Sequence, residues 1–146
     1  MKILIDADGC PVVKLTIRIA AEYQIPVTVF CDTAHVFSDL HAEIVTVSKG
    51  ADAVDFTLVN RVNEGDIVIT QDYGLAAMAL AKRAVPIHQS GTIYTNENID
   101  TMLSFRHTAR KIRNAGGHIK GPKKRVKQDD IAFEQSLRKV LEHQKG

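Results

Sequence analysis

Apolar residues along this chain follow two alternating rhythms. Short continuous runs occur at Lys2–Ile5, Val27–Phe30, Ile44–Val47, Ile67–Thr70 and Val85–His88, and Val and Ile dominate them. Runs of that length and composition predict buried strands. Gly91–Tyr94 is a candidate for a further short strand. Between the runs the apolar spacing lengthens to that of a helix. Pro11 opens the first helix, where its missing N–H costs nothing, and Val13, Ile17, Ala20 and Ala21 form the inward face. Further helices are predicted from Asp52 to about Val62, over Tyr73–Arg83, from Asn96 to about Ala115, and from about Asp129 to His143. Asn96 is the candidate cap of the fourth helix. That helix turns Met102, Phe105, Ala109 and Ile112 inward and ends at Gly116-Gly117. The last turns Phe133, Leu137, Val140 and Leu141 inward.

Strands alternating with helices predict an α/β fold whose mostly parallel central sheet carries helices on both faces. The 146 residues are the length of one ordinary domain, so residues 1–146 are expected to form a single one. No apolar run is long enough to span a bilayer, and the first residues lack a signal-peptide pattern, so a cytoplasmic location is expected. Cys10 and Cys31 do not form a CxxC motif, and the expectation is two reduced thiols, at least one of them buried.

Charge changes the picture more by distribution than by sum. The net charge is +2, yet residues 1–105 carry −6 and residues 106–146 carry +8. Arg106 to Lys127 holds nine basic residues and no acid. Arg106, Arg110 and Arg113 recur at helical spacing opposite the apolar stripe. Lys120, Lys123, Lys124, Arg125 and Lys127 follow beyond the glycine pair. One reading is a solvated helix face with a charged linker. The other is a surface for a phosphate backbone, with low sequence preference because aromatics are scarce there.

The acids are placed where such sheets bind ligands, beyond the carboxyl ends of the strands. Asp6 and Asp8 follow the first strand, and Asp72 follows the Ile67–Thr70 strand. Asp52 and Asp55 share a helix face that continues through Phe56, Val59 and Val62, so both are expected to point inward. Asp52 reads equally as a helix cap, and so, taken alone, does Asp72. Asp66 is assigned to the turn before its strand. Together the carboxylates would repel, by about 4 kcal/mol for two at ~4 Å and an effective dielectric near 20. Oxygen-only ligands favour Mg²⁺ or Mn²⁺, which can hold a phosphate, activate water and stabilise a leaving oxygen. Thr70 and Gln71 lie beside Asp72, where they can position water or steady the ligands. Ser48 and Lys49 precede the Asp52 helix and are weaker candidates for a phosphate contact. His107 in the basic face is the one histidine of interest.

The segments Asp6-Ala7-Asp8-Gly9-Cys10-Pro11-Val12, Gly50-Ala51-Asp52-Ala53-Val54-Asp55 and Ile69-Thr70-Gln71-Asp72, with Arg106-His107 and Gly121-Pro122, resemble the YaiI/YqxD family of bacterial proteins. Gly9 stands where Ala is common in that family, and Tyr73-Gly74 replaces a Pro-containing pair. The resemblance implies a PIN-like three-layer fold. PIN-type nucleases gather acids from the first strand, a middle helix and the end of a later strand, and use Mg²⁺ or Mn²⁺ to cut RNA or DNA flaps. It therefore implies a metal-dependent endoribonuclease or other phosphodiesterase, with RNA ahead of DNA as substrate. By position, Asp6 and Asp72 would be the primary metal ligands, Asp8 and Asp55 would complete the set or orient water, and Asp52 would support them. Two other readings stand beside this one. Asp6-Ala7-Asp8-Gly9 also resembles the opening motif of haloacid-dehalogenase phosphatases, with Asp6 as nucleophile, although Cys10-Pro11 departs from it. A non-catalytic nucleic-acid-binding module would keep the basic arm and treat the acids as structural.

Overall fold

The computed structural model describes residues 1–32, 41–47, 53–116 and 124–145, with the side chains of 53, 105–110, 113, 114 and 145 outside the description. Asp52, Ser48, Lys49, Lys120 and Lys123 lie outside the described residues. So do the side chains of Arg106, His107, Arg110 and Arg113.

The five apolar runs read as strands form one parallel sheet. Its strands are β1 (Ile3–Asp6), β2 (Val27–Asp32), β3 (Glu43–Val47), β4 (Ile67–Ile69) and β5 (Val85–Ile87), in the order β3-β2-β1-β4-β5. Alternation along each strand makes two faces. Ile3, Ile5, Val27, Val29, Ile67, Ile69 and Ile87 face one side. There they pack on α1 (Val13–Glu22), through Val13, Ile17 and Ala20, and on α5 (Lys127–Lys145), through Phe133, Leu137, Val140 and Leu141. Leu4, Phe30 and Val68 face the other side. They meet α2 (Ala53–Asn60), through Leu58, with Val62 just beyond its end, and α3 (Tyr73–Ala81), through Leu75 and Ala79. The remaining helix, α4 (Asn96–Asn114), leans on α3 through Ile99, Met102 and Leu103. The α/β architecture read from the sequence is the one observed. No helix among the described residues is long and apolar enough to cross a membrane.

Local details depart from expectation for identifiable reasons. Helix α1 begins at Val13, two residues after Pro11, and Ala21 is exposed while Thr16 and Ile19 are buried. The inward line of α2 is Val54 and Leu58 with Val59 beside them, and Phe56 is 64% exposed. The helix ends at Asn60, so Val62, though buried, lies beyond the helical stripe. Ile112 is 41% exposed. Its helix, at 19 residues, runs about 28 Å, twice the length of the nine-residue α3 against which it packs. Thr95, not Asn96, caps α4. The Asn98 amide donates to Thr95 Oγ1 (3.1 Å) and the Thr95 amide to Asn98 Oδ1 (2.9 Å), a reciprocal box with Asn in place of Glu or Gln. Gly91–Tyr94 forms a single antiparallel bridge, Ile87 to Ile93, rather than a strand.

The chain runs from β1 outward to β2 and β3, then returns to lay β4 on the other side of β1. The carboxyl ends of β1 and β4 therefore flank the switch point, where doubly wound sheets open a crevice.

Candidate functional site

Three acids reach that crevice. Asp6 is the last residue of β1 and continues the row of Leu4, on the face covered by α2 and α3. Across the β1–β4 register, which pairs Leu4 with Val68, the neighbour of Asp6 is Thr70. Its hydroxyl donates to Asp6 Oδ2 at 2.9 Å. The same Oγ1 accepts from the Asp72 amide at 3.0 Å, so one threonine fixes both acids. Asp72 caps α3, its Oδ1 accepting from the amides of Gly74 (2.8 Å) and Leu75 (3.2 Å). It is thus a cap and a wall of the crevice at once. Asp8 follows β1 in a turn completed by Gly9 at φ +71°, a left-handed conformation that disfavours any side chain. Asp8 Oδ1 accepts from the Asp32 amide at 3.4 Å, and Gln71 Nε2 reaches the Asp8 carbonyl at 3.5 Å.

Asp6, Asp8, Gln71, Asp72 and Tyr73 line one open cleft of about 370 Å³. Burial pushes the Asp6 carboxyl up to about 6 from an ordinary 3.8. The Thr70 hydroxyl opposes this, and the Asp8 and Asp72 carboxylates add to it. Asp55 sits half-buried in the first turn of α2, at the same pole by topology, but is not among the residues lining the cleft.

The cleft fits a hard divalent cation by chemistry more than by a finished cage. Among the described residues no three His, Cys, Asp or Glu side chains are grouped closely enough to hold an ion as they stand. Mg²⁺, however, keeps several waters and is commonly held by one or two carboxylates together with substrate phosphates. Asp6 and Asp72 beside an open cleft meet that lesser demand.

The basic segment divides. Lys124 and Lys127 are exposed. Arg125 is tied into the fold: Nε and Nη2 donate to Asp130 Oδ1 (2.9 and 2.7 Å), and Nη2 donates to the Gln89 carbonyl (2.9 Å). It therefore has a structural task that the sequence did not suggest. Cys10 feels both the Asp6 carboxylate and the Arg125 guanidinium. Burial pushes the Cys10 thiol up to about 11, Cys31 is fully buried, and neither is joined in a disulfide, as expected of two reduced thiols. His88 is also satisfied within the fold, its Nδ1 beside Ser90 Oγ at 2.8 Å. Sequence reasoning overlooked Tyr73. An aromatic directly after an acid that lies between a strand and the helix it caps must stand at the mouth of the crevice, and that was the available signal.

Fold and cleft together define a doubly wound α/β protein with a carboxylate-lined crevice at its switch point. The chain belongs to the uncharacterised YaiI/YqxD family, whose model matches residues 4–143. It is 57% identical to a UPF0178 protein of Exiguobacterium sibiricum, covering 97% of this chain and 96% of that one. It is 52% identical to a UPF0178 protein of Clostridium acetobutylicum, covering 97% of each. A UPF0178 protein of Natranaerobius thermophilus is 44% identical over all of this chain and 99% of its own. No solved structure matches the chain.

Proposed function

We propose that this chain is a divalent-cation-dependent phosphodiesterase acting on nucleic acid, RNA ahead of DNA, with a PIN-like arrangement of acids. The observation that carries this reading is the meeting of Asp6, Asp8 and Asp72, from the ends of two adjacent strands, in one open cleft. Asp6 and Asp72 would hold Mg²⁺ or Mn²⁺. Such an ion supplies charge neutralisation and a Lewis acid for a phosphoryl oxygen. The chain's own residues do the rest. Thr70 fixes the Asp6 carboxylate and the Asp72 backbone in one geometry. The α3 amides hold the Asp72 carboxylate. Asp8 is placed to orient water and accept its proton, and Asp55 supports the same pole. Lys124 and Lys127, with the basic residues of 106–123, hold the strand by its phosphates.

The test is cation-linked stability with cleavage beside it. Millimolar Mg²⁺ or Mn²⁺ is expected to raise the melting temperature of the wild type, by about 2.7 kcal/mol of stabilisation at a hundred times Kd. Asp6→Asn is expected to remove that rise together with cleavage of a labelled RNA. Absence of both effects in the wild type would overturn the reading and leave a non-catalytic nucleic-acid-binding module.

A further inference from the structure

We propose that Tyr73 is a platform on which an unpaired nucleobase of the substrate stacks, so that the cleft selects single-stranded nucleic acid over duplex. This rests on the cleft being a nucleic-acid site, and it names the substrate class. Tyr73 is the first residue of α3 and shares the cleft with Asp6, Asp8, Gln71 and Asp72. It is half-buried, and its position is braced from behind. Tyr94 meets it edge to face, with ring centroids 6.1 Å apart and planes at 67°. Tyr94 is itself buried, and its hydroxyl donates to the Thr70 carbonyl at 3.2 Å. Ala76 and Ile99 close the same cluster. The ring is therefore fixed before anything binds, and little freedom remains to be lost on binding.

The chemistry of the wall then points to its occupant. The neutral face of the ring, beside carboxylates, offers little to a phosphate, but it matches the π-face that every base carries. In a duplex that face is covered by neighbouring bases, so only an unpaired or extruded nucleotide can use it. Carboxylates for the phosphodiester and a ring for the adjacent base make a site for one splayed nucleotide.

The test compares short labelled RNAs by fluorescence anisotropy in Ca²⁺, with oligomer integrity checked on gels. The set contains an intact single strand, the same strand with an abasic residue moved along it, and its duplex. Wild type is expected to bind the intact strand about tenfold tighter than the strand abasic at one position. Tyr73→Leu, which keeps a packing group against Tyr94, is expected to lose that same tenfold and leave duplex affinity unchanged. Tyr73→Phe should stay within about twofold of wild type. Equal binding of every abasic strand by the unaltered protein would overturn the proposal. So would undiminished single-strand binding by Tyr73→Leu, no oligonucleotide binding by wild type, or a wild-type preference for duplex. The two readings also fail separately. Stacking dependence without cleavage in any cation would sink the phosphodiesterase and keep the platform. Cleavage with a KM unmoved in Tyr73→Leu would do the reverse.

Discussion

Two aspartates at opposite ends of the same sheet show how a buried charge can be held. Asp66 lies at the amino end of β4 and is 3% exposed. The Lys2 ammonium meets it at 2.7 Å, the Lys2 amide donates to it at 3.1 Å, and the Asn63 amide at 2.8 Å. Its charge is matched within the fold. Asp6 lies at the carboxyl end of β1, where among the described residues its one side-chain donor is the Thr70 hydroxyl and its other charged neighbours are carboxylates. Burial without a countercharge drives a carboxylate to protonate or to find a cation. An internally matched carboxylate belongs to the scaffold, whereas one facing other carboxylates across an open cleft is poised for a partner from outside.

The largest separation between the two is expected in paired variants. Asp6→Asn should lower RNA cleavage more than about a hundredfold, beyond the usual cost of losing a residue that merely orients a ligand. It should leave the fold intact. Asp72→Asn should do the same, because Asn caps a helix as well as Asp does and α3 keeps its start. Asp66→Ala should reverse the pattern: turnover of the folded fraction unchanged, and stability to urea lowered by about 3 kcal/mol as Lys2 loses its partner. Cleavage surviving in Asp6→Asn, or lost in a folded Asp66→Ala, would erase the distinction.

A second, smaller difference lies in pH. The folded Asp6 carboxyl titrates near 6, against 3.8 when unfolded. The folded state therefore holds the proton more tightly. The associated stability is complete below about pH 4 and is lost as pH rises through about 6. In cation-free buffer this group should cost on the order of 2–3 kcal/mol between those limits. Asp6→Asn should remove that slope and be the more stable protein at neutral pH. Urea melts of both proteins across the interval, in chelator, measure it. Superimposable slopes would mean that Asp6 is solvated or matched after all.

These contrasts were partly legible from the residues. The strands could be read because a doubly covered parallel sheet demands unbroken β-branched runs, and few other structures do. Asp6, Asp8 and Asp72 could be placed because an acid at or just beyond a strand's carboxyl end lies at that edge of the sheet whatever the helices do. Asp55 was harder, since its direction depends on the phase of a short helix. Leu58, rather than Phe56, sets that phase, and only packing into the cluster with Leu4 and Phe30 decides it. The partners of Asp66 and Arg125 were not legible at all. Lys2 is 64 positions from Asp66 and Gln89 is 36 from Arg125, and no local pattern encodes such pairs.

The smallest expected effect applies the same distinction to the cations. Lys124 and Arg125 are neighbours in one basic run, yet Arg125 is held by Asp130 and Gln89 while Lys124 is exposed. A matched guanidinium has less to offer a phosphate, because its Nε and Nη2 donors are engaged and its charge is met by Asp130, and releasing them costs what a new contact returns. An exposed lysine near a backbone releases a counterion on contact and has no such cost. Lys124→Ala should therefore weaken RNA binding modestly and lower the slope of log affinity against log salt by about one, with the melting temperature unchanged. Arg125→Ala should lower the melting temperature and leave the salt slope where it was. If the slope falls equally in both, Arg125 leaves Asp130 when RNA arrives, and the distinction between matched and outward charge would hold for the carboxylates alone.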